Sequence, residues 1–195
     1  MGKADKTKEF IVEKTAPIFN TKGYAGTSLS DMTEATGLTK GSIYGNFAGK
    51  DEVALAAFDY NLKKITSILR SEMDKQKTIK DKLLVYANVY GNVFEHSFPV
   101  GGCPILNTAI EADDTHPALK KKAGEAIASW KAKIISLLEE GIRLKEFKAD
   151  LNVEQIALTI IAMIEGTSMI AHLTGKHSYR QSIMGSVEQY IKAIK

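Results

Sequence analysis

This sequence of 195 residues predicts an all-α chain in two parts, a short N-terminal three-helix unit and a longer C-terminal helical one. Three observations carry that expectation. Apolar residues recur at the helical period through most of the chain, and no alternating run is long enough to read as a strand. Capping and helix-breaking residues fall at the ends of these periodic stretches. The segment 27–50, TSLSDMTEATGLTKGSIYGNFAGK, compresses two short helices around a tight turn.

The first helix precedes that segment. Pro17 lies inside it, where the missing N–H removes the bond to the Glu13 carbonyl and predicts a kink. Thr27 or Ser28 is placed to cap the second helix, with Asp31 completing Ser-x-x-Asp. Leu29, Met32 and Ala35 repeat on one face, and Gly37 follows the last periodic residue, where the backbone needs positive φ. Thr39 is placed to cap a third helix carrying Lys40, Gly41, Ser42, Tyr44 and Asn46, with Leu38, Ile43 and Phe47 left to pack. A helix whose first turn presents Thr, Lys, Gly and Ser exposes donors and little bulk. Those properties suit close approach to phosphates and base edges in a DNA major groove. An ordinary helical corner has the same outline, so the pattern alone does not prove DNA binding.

Val53, Ala57, Phe58, Leu62, Ile65 and Leu69 predict a long helix from Lys50. Thr78-x-x-Asp81 opens the next, with Ile79, Leu83, Tyr86, Tyr90 and Phe94 as its stripe and 96–102 as a loop. Pro104 and Pro117 each suit the first position of a further helix, reaching to about 111 and about 145. The stretch 156–173 is apolar nearly all round and asks for cover on two sides. Ile183, Val187, Tyr190 and Ile194 form a narrower stripe on the last helix. Doubled by symmetry, the last two helices make a four-helix bundle, with Ile160 joining the interface; completing a monomeric core is the simpler alternative.

The segment 7–58, with Phe19, Gly23-Tyr24, Thr27-Ser28, Gly37, Lys40-Gly41, Tyr44, Phe47 and Lys50 at fixed spacings, resembles the N-terminal DNA-binding domain of the TetR/AcrR family of bacterial regulators. The resemblance implies a helix-turn-helix domain over residues 1–49 and a ligand-sensing and dimerisation domain over 50–195. It implies a homodimer on palindromic double-stranded operator DNA, released by a small-molecule or electrophile inducer. The DNA contacts it implies are Thr27, Ser28, Thr39, Lys40, Gly41, Ser42, Tyr44, Asn46 and Lys50. Asn46 stands where many members carry a phosphate-contacting His. GCP at 102–104, followed by Asn107 and Glu111, resembles a branch of the family in which a cysteine senses electrophiles or oxidants. A ligand cavity is implied by the family too, and Tyr86, Tyr90, Phe94, Phe98, Trp130, Met163 and His172 are candidates to line it, though each singly reads equally as core.

Charge and composition bound the alternatives. The net charge is +3, and residues 1–50 hold seven Lys and no Arg against five acidic groups. Bidentate guanine readout by Arg is therefore unavailable there, leaving Lys40 as the base-reading cation. Cys103 is the single cysteine, which excludes an intrachain disulfide and fits a reducing bacterial cytoplasm. Pro104 makes Cys103 an N-cap residue, where the helix dipole favours a reactive thiolate; a packed apolar residue is the alternative. MGKADKTKEF lacks the apolar core of a secretory signal, and Glu165 and His172 interrupt 156–173, which reads as a buried helix rather than a membrane span. The four His lack metal-site spacing, and neither a metal nor a cofactor is expected. The competing class is a helical redox or xenobiotic-modifying enzyme using Cys103, with His96 as partner.

Overall fold

The computed structural model describes residues 2–194. Among them the chain is helical throughout, in the order α1 (Lys3–Gly26), α2 (Leu29–Thr36), α3 (Lys40–Tyr44), α4 (Lys50–Met73), α5 (Ile79–Gly91), α6 (Pro104–Ala112), α7 (Pro117–Arg143), α8 (Val153–Thr174) and α9 (His177–Ala193). It divides into two compact units. One comprises the chain up to residue 65 together with 99–124; the other comprises 66–98 and 125–195.

In the first unit, α1 packs on α2 and α6, and Ile11, Ala16, Phe19, Met32, Ile43, Phe47, Val53 and Ala57 form its core. Helix α1 keeps helical dihedrals through Pro17, and the backbone leaves the helix at Gly23, at φ 73° and ψ 178°. Asn61 is buried and donates to the Ala16 carbonyl at 2.9 Å, joining α4 to α1.

In the second unit, α9 packs against both α5 and α8. Thr78 caps α5, its hydroxyl accepting from the Asp81 amide at 3.0 Å. The Glu146 carboxylate accepts from the Ile79 amide at 2.9 Å and the Lys80 amide at 3.1 Å, so the orphan N–H groups of this helix start are satisfied. Leu83, Tyr86, Val89, Ile134, Leu138, Ile160, Ile164, Val187 and Ile191 are buried here.

Helical phase corrects three of the expected interface residues. Ile160, Val187 and Ile194 turn inward and are 0%, 0% and 6% exposed within a single protomer, while Ile183 and Tyr190 are half-buried. The apolar groups left in solvent on α8 are Leu158, Met169, Ile170 and Leu173, joined by Tyr179 on α9. Helix α8 is long and apolar enough to cross a membrane by length and composition. Its inward face is committed to α5 and α9, and its outward stripe is what remains uncovered.

Candidate DNA-reading surface and sensor residues

The α2–turn–α3 unit is built from local chemistry. Ser28 and Asp31 form a reciprocal capping box: the Ser28 hydroxyl accepts from the Asp31 amide at 3.1 Å, and Asp31 accepts from the Ser28 amide at 2.7 Å. Lys22 also holds Asp31 at 2.6 Å. Its ammonium, with the Ser28 bonds, keeps the Asp31 carboxyl well below the usual carboxylate range. Gly37 ends α2 in the left-handed region at φ 66°, so the chain turns within a few residues. Thr39 then caps α3 by accepting from the Ser42 amide at 3.1 Å. Met32, Ile43 and Phe47 are buried beneath the turn.

This arrangement leaves Ser28, Thr39, Lys40, Gly41 and Ser42 exposed together at the helix starts. Tyr44, Asn46 and Lys50 are half-buried beside them. Helix α3 has five residues, so Asn46 lies in the turn beyond it and donates to the Ser42 carbonyl at 2.8 Å. Lys50 begins α4 with its ammonium 4.3 Å from the centre of the Tyr24 ring. The Tyr24 hydroxyl donates to Asp51, a bond that raises its pKa above the ordinary phenol value.

Thr27 departs from expectation. It is 0% exposed and donates to the Gly23 carbonyl at 2.6 Å, so it braces the end of α1 and does not face the reading surface. Two hydroxyls stood side by side in the sequence, and only Ser28 adopts the capping geometry.

The sensor candidates separate into groups. Tyr86, Tyr90, Phe98 and Trp130 come together in the second unit. Tyr90 stacks on Trp130 with centroids 5.7 Å apart and planes 11° from parallel, and meets the Phe98 edge at 5.4 Å. Burial pushes the Tyr86 hydroxyl well above its ordinary pKa. Phe94 is not among them: α5 stops at Gly91, the helical stripe ends with it, and Phe94 is 81% exposed with its ring on His177. His172 is exposed on α8, and Met163 is half-buried. Cys103 and Asn107 belong to the first unit. Cys103 is the α6 N-cap, yet it is 3% exposed, which removes the ready access that an N-cap thiol suggests. Asn107 donates to the Asn20 and Gly101 carbonyls, each at 2.9 Å.

Asn20, Asn61 and His116 escaped the sequence reading. His116 precedes Pro117, and its Nδ1 accepts from the Leu119 amide at 3.2 Å, capping α7. A His-Pro pair at a helix start was the available signal for it. Asn20 and Asn61 act on distant carbonyls and carry no local signal.

A capped helix-turn-helix with an exposed, donor-rich α3, set on an all-helical chain, defines a DNA-binding transcriptional regulator. Comparison with known proteins identifies which kind. Residues 11–57 match the family described as bacterial regulatory proteins, tetR family, and residues 80–187 match the tetracyclin repressor-like C-terminal domain. The chain belongs to the TetR family. Its fold is similar to that of a TetR-family regulator from Cytophaga hutchinsonii, at 52% identity and a TM-score of 0.95, covering 100% of this chain and 98% of that one. A TetR regulator from Chloroflexus aurantiacus J-10-FL is 37% identical with a TM-score of 0.93 over the same shares. The HTH-type transcriptional regulator LmrA of Bacillus subtilis is 25% identical, covering 88% of this chain and 89% of its own. These relatives are regulators rather than enzymes, so the reading of a helical enzyme using Cys103 is set aside. TetR regulators bind operator DNA, function as dimers and respond to small molecules.

Proposed function

We propose that the chain is a bacterial cytoplasmic repressor that binds a palindromic operator as a homodimer. Residues 1–49 read DNA and 50–195 sense an inducer and dimerise. The observation that supports the DNA-reading part most directly is the exposed first turn of α3, where Thr39, Lys40, Gly41 and Ser42 face solvent together. Lys40 is the base-reading cation, Ser28 and Ser42 reach nearby phosphates or edges, and Tyr44, Asn46 and Lys50 contact the backbone. Two copies present two such turns, and an operator with two half-sites matches that symmetry.

The inducer is a reversible, partly aromatic molecule taken up beside Tyr86, Tyr90 and Trp130. These rings are buried and packed on one another, so a ligand enters by parting them, and each face it uncovers is one it can stack on. Electrophile sensing at Cys103 is the second reading, and the N-cap position favours it through the helix dipole. The buried thiol must be uncovered before it can react, just as the buried Tyr86 and Tyr90 rings must part to admit a ligand.

Selection of sequences from a random duplex library tests the reading. The protein should enrich an inverted repeat, and Lys40→Ala should relax preference at one position per half-site. Enrichment without dyad symmetry would sink the palindrome. Titrating bound duplex with an alkylating electrophile separates the inducer readings: equal release from wild type and Cys103→Ser would remove Cys103 from sensing.

A further inference from the structure

The end of α1 is gripped from α6 by side chains set four residues apart. Asn107 donates to the main-chain carbonyls of Asn20 and Gly101, each at 2.9 Å. Asn20 answers with its own amide, donating to the carbonyls of Val100 at 2.7 Å and Gly102 at 3.0 Å. One helical turn beyond Asn107, the Glu111 carboxylate accepts from two successive backbone amides, Tyr24 at 2.7 Å and Ala25 at 2.8 Å.

Those two N–H groups converge on one carboxylate because the chain leaves the helix at Gly23, at φ 73°. The resulting concave pair of amides is an anion seat, and the hydrogen bonds to the carboxylate are charge-assisted. Glycine is needed there twice over. The backbone conformation disfavours a side chain, and a Cβ would stand 2.4–2.6 Å from the Glu111 carboxylate atoms. From this seat the connection to the reading surface is short. The Gly23 carbonyl accepts from buried Thr27, and Ser28, the next residue, caps α2.

We propose that Glu111 is a positioning residue for DNA recognition. Its carboxylate sets the exit of the chain from α1, and thereby the bearing of α2 and α3. A displacement of α6 that withdraws the carboxylate frees the Tyr24 and Ala25 amides and lets the reading helix turn away from its base edges. The role rests on operator recognition through α3, and it assigns to one side chain the step between α6 and the reading surface.

The test uses the full-length protein and two probes: a duplex enriched from a random library by the wild type, and a random duplex of equal length. Glu111→Gln keeps one acceptor oxygen, and Glu111→Ala keeps none. Affinity for the enriched duplex should fall about tenfold for the first and further for the second. Binding to the random duplex should stay within about twofold, since phosphate contacts tolerate a misaligned α3. Amide exchange at Tyr24 and Ala25 should quicken in both variants. Gly23→Ala, which pushes the carboxylate aside while leaving it intact, should reproduce the pattern. Lys40→Ala is the control: it should lose affinity for the enriched duplex with those two amides unchanged. Enriched-duplex affinity unaltered in Glu111→Gln and Gly23→Ala would overturn the proposal. Equal loss on both duplexes would also overturn it, as the sign of general structural damage. If the wild type enriches no sequence, the operator reading falls and the positioning role falls with it, whatever the amides do.

Discussion

The two units are held together by different physics. In the first, the buried polar side chains Thr15, Asn20, Thr27, Thr36, Asn61 and His116 all sit in one small helical assembly. Asn20 and Asn61 bond to carbonyls 80 and 45 residues away. In the second, the buried hydroxyls of Thr167 and Ser168 bond to carbonyls of their own helix. The bonds between elements there come from half-buried groups at helix ends, Glu146 accepting from the Ile79 and Lys80 amides and Arg180 donating to the Tyr90 carbonyl at 3.2 Å. Directional bonds between elements admit one geometry, whereas apolar packing tolerates several arrangements of similar energy. A reading surface needs the first property and a sensor the second. The contrast suggests how a single chain can keep one part rigid while another repacks around a ligand.

The largest effects should come from charges set into the second unit, and they separate its inner face from its outer one. Val187→Glu buries a carboxylate at a 0% exposed position and should destabilise by about 4 kcal/mol or more. Leu173→Glu, at a position 78% exposed, should leave the unfolding transition within about 0.5 kcal/mol of wild type. It should nevertheless convert a dimer to a monomer in sedimentation and abolish operator binding. If instead Val187→Glu is folded and monomeric, the interface lies on α9 and the outward stripe of α8 is ordinary surface.

Next in size is a comparison of single core side chains. Trp130→Ala should cost about 3–5 kcal/mol, through lost burial and the cavity left beside Tyr86 and Tyr90. Asn61→Ala should cost about 1–3 kcal/mol by deleting the bridge from α4 to α1. Thr167→Val should cost less than either, because its hydroxyl serves only the Met163 carbonyl of its own helix. Chemical denaturation reads all three. A Thr167→Val cost equal to that of Asn61→Ala would erase the distinction between the two interiors.

What the sequence made legible follows the same division. Ser28 with Asp31, Gly37, Thr39 and Thr78 act within a few residues, so their roles as caps and breakers could be read directly and reappear in the fold. The Pro104 and Pro117 helix starts were equally local. Thr27 was misread because the choice between adjacent hydroxyls depends on Gly23, whose positive φ brings its carbonyl to the Thr27 side chain. Ile160 was misread because α8 is apolar on most faces, and periodicity then cannot say which face looks inward. Val187 was misread because the stripe of α9 packs against α5 and α8 of the same protomer. Phe94 kept the stripe of α5 in sequence after the helix had ended at Gly91. The Asn20 bonds reach across some 80 residues and leave no mark in any window of sequence.

The smallest expected effect tests whether the rigidity of the reading unit extends to its exposed edge. Asp31 accepts from Ser28 and pairs with Lys22, and its folded pKa lies below the value of a free aspartate. A depressed folded pKa contributes stability that is present above the unfolded value, near 4, and is lost as pH falls toward the folded one. Wild type should therefore melt slightly above Asp31→Asn at neutral pH, with the gap constant down to about pH 5 and closing below it. Solvent and salt screen this exposed pair, so the gap at neutral pH should shrink in high salt. The capping hydrogen bonds persist under screening, so part of the gap should survive. A gap that widens on acidification would mean the carboxylate is strained in the folded protein, and that α2 is capped by Ser28 alone.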